Sequence, residues 1–271
     1  MTFLNIMVHL DLEHANDACL RIAIGLVDTF NAKLIGIAAA TGQSSYYGDE
    51  AFAQGPLEQL RSDITKRLAQ AEDRFRFMAT PRQIEWRSAI ARPADYISRE
   101  ARAADLVVIG ARRNGLVSDL AGSLDPGDLV MQVGRPILVV PPQIEALKLK
   151  LAMVCWKDTR EARRAVSDAL PFLHKVQETV VVEVIQDESS RDAAHSRVDD
   201  VISWLERHGI RAFARVFHCS KREDPMEKLF EYGADFIVAG AYGHMRLREW
   251  VFGGFTHDLL QRSPVCTLVI H

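Results

Sequence analysis

The chain carries one pattern twice, which restricts it to folds built from two similar units. The segment ADLVVIGARRNG at 104–115 matches ADFIVAGAYGHM at 234–245, and the stretches before and after these segments also correspond in the same order. Repeats of this length are domains rather than solenoid modules. We therefore predict two domains, 1–144 and 145–271, related by a pseudo-two-fold axis. The boundary follows from PPQIEALK, where two prolines end the first unit.

Within each unit, apolar runs alternate with helical patterns. LVVIG, ILVV, TVVVEV and FIVAG are continuous β-rich runs, which are typical of parallel strands covered on both faces. Alternating strands and helices predict the α/β class, here as two tandem, doubly wound, parallel five-stranded sheets. The predicted strands are 3–10, 33–40, 83–90, 105–110, 136–140, 149–155, 177–185, 210–217, 235–240 and 265–270. The predicted helices are 14–30, 57–79, 93–103, 126–134, 159–174, 190–208, 225–232 and 254–262.

Charge and composition exclude several classes of function. The 271 residues carry a formal net charge of −3, which gives no reason to expect nucleic acid as a partner. No apolar run approaches the roughly 18–20 residues that span a bilayer, and the N-terminus acquires charge too early for a signal peptide. The four cysteines show no CxxC spacing, which argues against disulfides and a zinc site. We expect a cytoplasmic protein without a membrane partner.

Glycines cluster in GAYGHMRLREWVFGG at 240–254, between a predicted strand and a predicted helix. Backbone N–H groups in such a stretch can face a phosphate, and a helix N-terminus favours negative charge. Plain glycine turns at the end of a parallel strand are the alternative. Thr256 can serve either interpretation, as a phosphate contact or as the helix cap. The irregular segment 41–56, which the second half lacks, is either a functional flap or decoration.

These residues resemble the nucleotide signature of the universal stress protein family, in its tandem two-domain form. That signature reads G-x2-G-x9-G-(S/T), and Gly240, Gly243 and Gly253 match it, with Gly254 at the Ser/Thr position. The resemblance covers nearly the whole chain. It implies a fold like that of the adenine nucleotide alpha hydrolases, ATP as the usual ligand with or without Mg²⁺, and slow or absent hydrolysis.

The first repeat departs from the signature. Gly110 keeps the first glycine, but Arg113 replaces the second, and Gly122-Ser123 comes one residue early, before an inserted LDPGD. An arginine side chain blocks close approach of a phosphate to the backbone, although Arg112 or Arg113 can bind an anion directly. We expect this half to be a pseudo-domain without ordinary ATP binding.

The residue that faces adenine also differs between the halves. By resemblance, an aspartate follows the first strand, and Asp11 holds that place in the first half. In the second half Lys157 stands there, with Asp158 one residue later, and Trp156 either occludes the base pocket or packs in the core. Neither half therefore has a complete set. The predicted nucleotide-binding residues are Gly240, Gly243, His244, Gly253, Gly254, Phe255, Thr256, Lys157, Asp158 and Val184.

No catalytic residue and no resident metal site is predicted, because the chain lacks a P-loop, GxSxG and HExxH. Asp235, Glu249 and Asp258 are candidate Mg²⁺ ligands beside a triphosphate, or else cap helices and pair with arginines. His244 and His257 are the local candidates for a weak ATP hydrolase. The leading hypothesis is a stress-response binding module that signals through a protein partner. A scaffold that binds no ligand is the third hypothesis.

Assembly is predicted from the last strand of each unit. PILVV and VCTLVI are apolar strands whose exposed edges would invite pairing. By resemblance, we expect these strands to meet within the chain and form an intrachain pseudo-dimer. Dimerisation of the whole chain is a further expectation.

Overall fold

A computed structural model describes residues 2–13, 17–41, 54–111, 124–220, 223–241 and 254–271. The first half contains β1 (Asn5–His9), α1 (Asp17–Phe30), β2 (Lys33–Ala40), α2 (Gln54–Ala79), β3 (Ile84–Ile90), α3 (Pro93–Glu100), β4 (Leu106–Gly110), α4 (Pro126–Val133) and β5 (Ile137–Val140). The second half contains β6 (Leu151–Trp156), α5 (Arg160–Asp168), α6 (Leu170–Leu173), β7 (Glu178–Ile185), α7 (Arg191–Arg207), β8 (Ala212–His218), α8 (Pro225–Glu231), β9 (Phe236–Gly240), α9 (Phe255–Arg262) and β10 (Cys266–Ile270). The predicted α/β class is confirmed.

One predicted helix is divided in the structure. The segment 159–174 forms α5 and α6, separated at Ala169. Pro171 explains the break, because it has no N–H to donate to the carbonyl of Ser167, four residues earlier. Among the described helices, none combines the length and the apolar character that a bilayer crossing requires.

Residues 3–135 form one compact unit with four parallel strands. Their order is β3-β2-β1-β4, with Met7 of β1 opposite Ile35 of β2 and Val107 of β4. The chain thus runs outward from β1 through β2 to β3, and then crosses to the other side of β1. This reversal is the hallmark of a doubly wound sheet.

Residues 136–271, with residues 1–2, form the second compact unit. Its strand order is β8-β7-β6-β9-β10, which repeats the order of the first unit, and β5 adds to β10 in antiparallel fashion. The two terminal strands that were predicted to meet are therefore hydrogen-bonded neighbours, with Leu138 opposite Leu268. This pairing is why β5 falls in the second compact unit. The predicted domain limits, the pseudo-two-fold axis and the dimer stay predictions.

Helices cover both faces of the sheet in the second unit. On one face, Met226 and Leu229 of α8 and Leu259 of α9 pack against buried residues of β6, β7 and β9. On the other face, Ala194 of α7 packs against Ile185 and Val216. Because both faces are covered, the site must lie at an edge of the sheet or between helices.

Candidate functional site

The carboxyl ends of β6 and β9 mark the point where the strand order of the second unit reverses. From β6 the chain continues to β7 and β8 on one side, and later to β9 and β10 on the other. Cys155 lies opposite Ala239, so Trp156 and Gly240, which end these two strands, are neighbours. Ligands of open parallel sheets bind beyond such a switch point. The glycine stretch therefore begins where the fold favours a ligand.

Gly240 is required by helix packing at this point. A Cβ atom there would lie 2.6 Å from the backbone nitrogen of Ala162 and 2.6 Å from the carbonyl carbon of Glu161. Only glycine lets the first turn of α5 come this close to the end of β9. Thr159 caps that helix, and its Oγ1 accepts a hydrogen bond of 3.3 Å from the Ala162 N–H. The interpretation of Gly240 as part of a phosphate-binding stretch did not include this structural role.

The amide that follows Gly240 belongs to the sheet. The N–H of Ala241 donates to the carbonyl of Ile270 at 2.7 Å, and Ala241 is fully buried. Its carbonyl oxygen lies 3.0 Å from Nδ1 of His271. This amide is therefore unavailable to an anion, and a phosphate would have to contact later residues.

The helices that follow the fourth strand of each half begin differently. In α4, Asp125 is the N-cap, and its Oδ1 accepts from the Gly127 N–H at 3.4 Å, while Pro126 has no N–H to offer. In α9, the N-cap is Gly254, with φ −82° and ψ 161°, which has no side chain to cap the helix. Free first-turn N–H groups and the helix dipole attract anions. A carboxylate already occupies that position at α4, whereas the N-cap of α9 supplies none.

The next two residues of α9 turn inward. Phe255 packs, partly buried, against the core that α8 and α9 cover, and Thr256 is 4% exposed. Gly254 holds the N-cap position, so the interpretation of Thr256 as the cap is wrong. Neither side chain therefore projects from the start of α9 into solvent.

Three further predicted residues lie near the ends of β6 and β7. Lys157 and Asp158 are exposed, and Asp158 forms an ion pair with Arg163 of α5. Val184 packs, partly buried, against the core on the α8 and α9 face. The structure thus brings Lys157 and Asp158 to the switch point, with the Asp158 carboxylate engaged by an arginine.

Glu161 is a buried carboxylate beside this site, and the sequence reasoning missed it. It is 2% exposed in the first turn of α5, where Arg160 donates to its Oε1 at 2.5 Å. Its Oε2 has no hydrogen-bond partner within the described ranges. Burial opposes ionisation, but the Arg160 hydrogen bond helps to outweigh it, and the pKa of Glu161 lies below its ordinary value. The available signal was an acidic residue at a helix start, which is too common to single out a site.

Asp235 binds backbone at the other edge of the sheet. Its Oδ2 accepts hydrogen bonds of 2.9 Å from the N–H groups of Lys150 and Leu151, where β6 begins. Asp235 precedes β9 and Gly240 ends it, so the interpretation of Asp235 as a Mg²⁺ ligand beside the glycine stretch is wrong. Within the part of the chain that the structure describes, no cluster of three or more His, Cys, Asp or Glu could hold a metal ion.

Several predicted positions lie outside the described residues, among them three of the ten predicted nucleotide-binding residues. They are Gly243, His244, Glu249 and Gly253 of the glycine stretch, Arg112, Arg113, Gly122 and Ser123 of the first repeat, and most of the segment 41–56.

Comparison with known proteins supports the resemblance. The sequence model of the Universal stress protein family matches residues 2–141. A universal stress protein from Archaeoglobus fulgidus DSM 4304 superposes on 98% of this chain and 95% of its own, at 14% identity and a TM-score of 0.69. PA1789 from Pseudomonas aeruginosa PAO1, a functionally unknown protein, superposes on 99% of this chain and 92% of its own, at 10% identity and a TM-score of 0.58. No curated protein matches the sequence significantly.

A shorter similar structure is a universal stress protein in complex with cAMP. All of that chain superposes on 53% of this one, at 23% identity and a TM-score of 0.36. At that score, nothing about the present chain follows from the bound cAMP.

The family match and the fold agree with each other. The matched residues 2–141 make up more than half of the chain and contain β1 to β5. The two long structural matches show the same fold over nearly the whole length. The chain belongs to the Universal stress protein family.

Proposed function

We propose that this protein binds an adenine nucleotide, ATP by preference, in its second half, and acts in the cytoplasm as a regulatory stress-response module that signals through a protein partner. Family membership supports the ligand class. The observation that carries the location is the difference between the two helix starts: Gly254 begins α9 without a capping side chain, whereas Asp125 places a carboxylate at the start of α4.

In this proposal the phosphates lie at the start of α9. An anion there would meet the positive end of the helix dipole and the first-turn N–H groups of residues that follow Gly254. Since the side chains of Phe255 and Thr256 turn inward, the phosphates would be contacted by backbone N–H groups rather than by side chains. The same place in the first half would set a phosphate against the Asp125 carboxylate.

The base and ribose extend toward the end of β6. Asp158 is exposed together with its partner Arg163, and an exposed ion pair of this kind is worth roughly 0–1 kcal/mol. A ligand can therefore displace Arg163 from Asp158 at small cost. Lys157 at the position of the adenine-facing aspartate would reduce selectivity for the base rather than affinity for the phosphates.

The test is calorimetric titration of the full chain with ATP, comparing Gly254→Asp with Gly254→Asn. Both residues are good N-caps and accept the observed extended backbone, so α9 should be retained in both. The aspartate sets a negative charge where the phosphates would lie and should weaken binding roughly tenfold or more, whereas the near-isosteric asparagine should not. Circular dichroism verifies that both variants fold.

Equal ATP affinity in the two variants would place the phosphates elsewhere. Asp125→Asn serves as the matched variant in the first half, where no change in ATP binding is expected. If the wild type binds no adenine nucleotide, the ligand assignment fails and the scaffold hypothesis takes its place.

A further inference from the structure

A cavity of about 430 Å³ opens between α5 and α7, on a helix-covered face of the second unit. Its apolar walls are Trp156, Val166, Val201 and Trp204, and we call it the helix-face cavity. The volume falls within the range of roughly 300–1,000 Å³ that small-molecule sites occupy. It involves no residue of the glycine stretch, so it is separate from the proposed phosphate position, but Asp158 and Arg163, beside the proposed base position, also line it.

Two indole rings dominate the walls. Trp156 ends β6 in register with Glu183 of β7, which places both side chains on the face that α7 covers. Trp204 lies on α7, three residues after Val201, and is 38% exposed, with its ring centroid 4.1 Å from that of His208. Large aromatic surface of this kind is left accessible at one side of the cavity.

At the corresponding place in the first half, apolar side chains pack together. Leu10, the repeat counterpart of Trp156, packs with Leu12 against Ile64 and Leu68 of α2, which are 2% and 8% exposed. In the second half α7 supplies Arg197 and Asp200 at the cavity instead.

All but one of the charged side chains that line the cavity are paired with a group of opposite charge. Arg197 binds Glu183 through Nε, at 3.2 Å, and through Nη2, and Arg163 pairs with Asp158. The Glu183 hydrogen bond, with a smaller contribution from the Asp158 charge, holds the pKa of Arg197 above its ordinary value. Asp200 is exposed and makes no ion pair or hydrogen bond among the described residues. One carboxylate beside two indoles is therefore left uncompensated.

We propose that the helix-face cavity binds a small organic cation, an ammonium group on an apolar body. Tryptophan gives the strongest cation–π attraction of the aromatic side chains. Asp200 would supply the opposite charge, and Val166 and Val201 would contact the apolar body. An anionic ligand would instead face the Asp200 carboxylate, and the guanidinium of Arg197 is held by the buried carboxylate of Glu183.

The probes are benzyltrimethylammonium and benzoate, which share a ring and differ in charge. Binding is measured on the full chain by indole N–H shifts in NMR spectra, with Trp156 and Trp204 assigned through Trp→Phe variants. We expect the cation to bind with a Kd on the order of 1 mM or below and benzoate to bind more weakly. Equal or tighter binding of benzoate, or no indole shift with the cation, overturns the proposal.

Asp200→Asn and Asp199→Asn form a matched pair, since both carboxylates are exposed on α7 and only Asp200 lines the cavity. Asp200→Asn should weaken cation binding roughly fivefold, and Asp199→Asn should change it less than about twofold. Equal effects of the two substitutions would contradict the assignment of Asp200. Gly254→Asp should leave cation binding unchanged, so failure of the ATP proposal and failure of this one give different results.

Discussion

The two halves share their strand framework and differ at its carboxyl edge. Met7 lies opposite Val107 in the first half, and its counterpart Met153 lies opposite Ile237 in the second. At the edge, however, the N-cap of the fourth-strand helix is Asp125 in one half and Gly254 in the other. The two halves thus share the register of their strands, whereas the N-cap residues at which a ligand could bind differ.

A further difference lies at the carboxyl end of the first strand, where His9 ends β1 and Cys155 lies one residue before the end of β6. His9 in the first half corresponds to Cys155 in the second. Burial lowers the pKa of His9 to about 4, although the Asp11 charge acts in the other direction. Burial raises the pKa of Cys155 to about 12. Only the first half therefore has a group at this position that titrates between neutral and acid pH.

The largest effect is expected at Gly240, where the second half depends on close backbone approach. Gly240→Val should lower the free energy of unfolding by about 4 kcal/mol, because the new side chain would overlap the backbone of α5. Gly25 in α1 is the control, since a Cβ there meets nothing within 4 Å. Gly25→Ala should stabilise the protein by about 1 kcal/mol. Chemical denaturation measures both, and a Gly240→Val variant as stable as the wild type would refute the packing role.

The contribution of His9 to the free energy of unfolding should change by about 3 kcal/mol between pH 7 and pH 4. The unfolded chain takes up a proton near the ordinary pKa of 6.5, and the folded protein only near 4, so the free energy of unfolding falls as the pH drops through this window. His9→Cys installs the second-half residue, which stays neutral there. The stability difference between wild type and variant should therefore shift by this amount across the window. A constant difference would show that His9 is protonated normally in the fold.

A smaller effect, equal in the two halves, is expected at the two aspartates that accept hydrogen bonds at the starts of β1 and β6. Asp105 Oδ2 accepts from the N–H groups of Leu4 and Asn5 at 2.8 and 2.9 Å, as Asp235 does from Lys150 and Leu151. Asp105→Ala and Asp235→Ala should each cost about 2 kcal/mol of unfolding free energy, because each leaves two amides without this acceptor. The asparagine variants retain an oxygen and should cost less. Costs that differ by more than about 1 kcal/mol between the halves would show that the two aspartates are not equivalent.

The strands could be predicted because continuous apolar runs between helical patterns report burial on both faces. The two terminal strands could be paired because the repeat and the family resemblance together identified them. The division of the helix 159–174 was missed, although Pro171 was visible, since proline is also tolerated at the start of a helix.

The candidate site was harder to predict because its contacts join residues far apart in the sequence. Gly240 faces the backbone of Glu161 and Ala162, some eighty residues earlier, and no local pattern reveals that contact. Asp235 looked close to the glycine stretch in sequence, but a strand of five residues carries it to the opposite edge. The inserted LDPGD was recognised as a disruption, and only the structure shows that Asp125 within it caps α4.

Amide hydrogen exchange on the full chain, with and without saturating ATP, is the sharpest test of nucleotide binding at the start of α9. We expect ATP to slow exchange of the first-turn amides of α9, which follow Gly254, and to leave those at the start of α4 unchanged. Slowed exchange at the start of α4 but not of α9, or at neither, would contradict it.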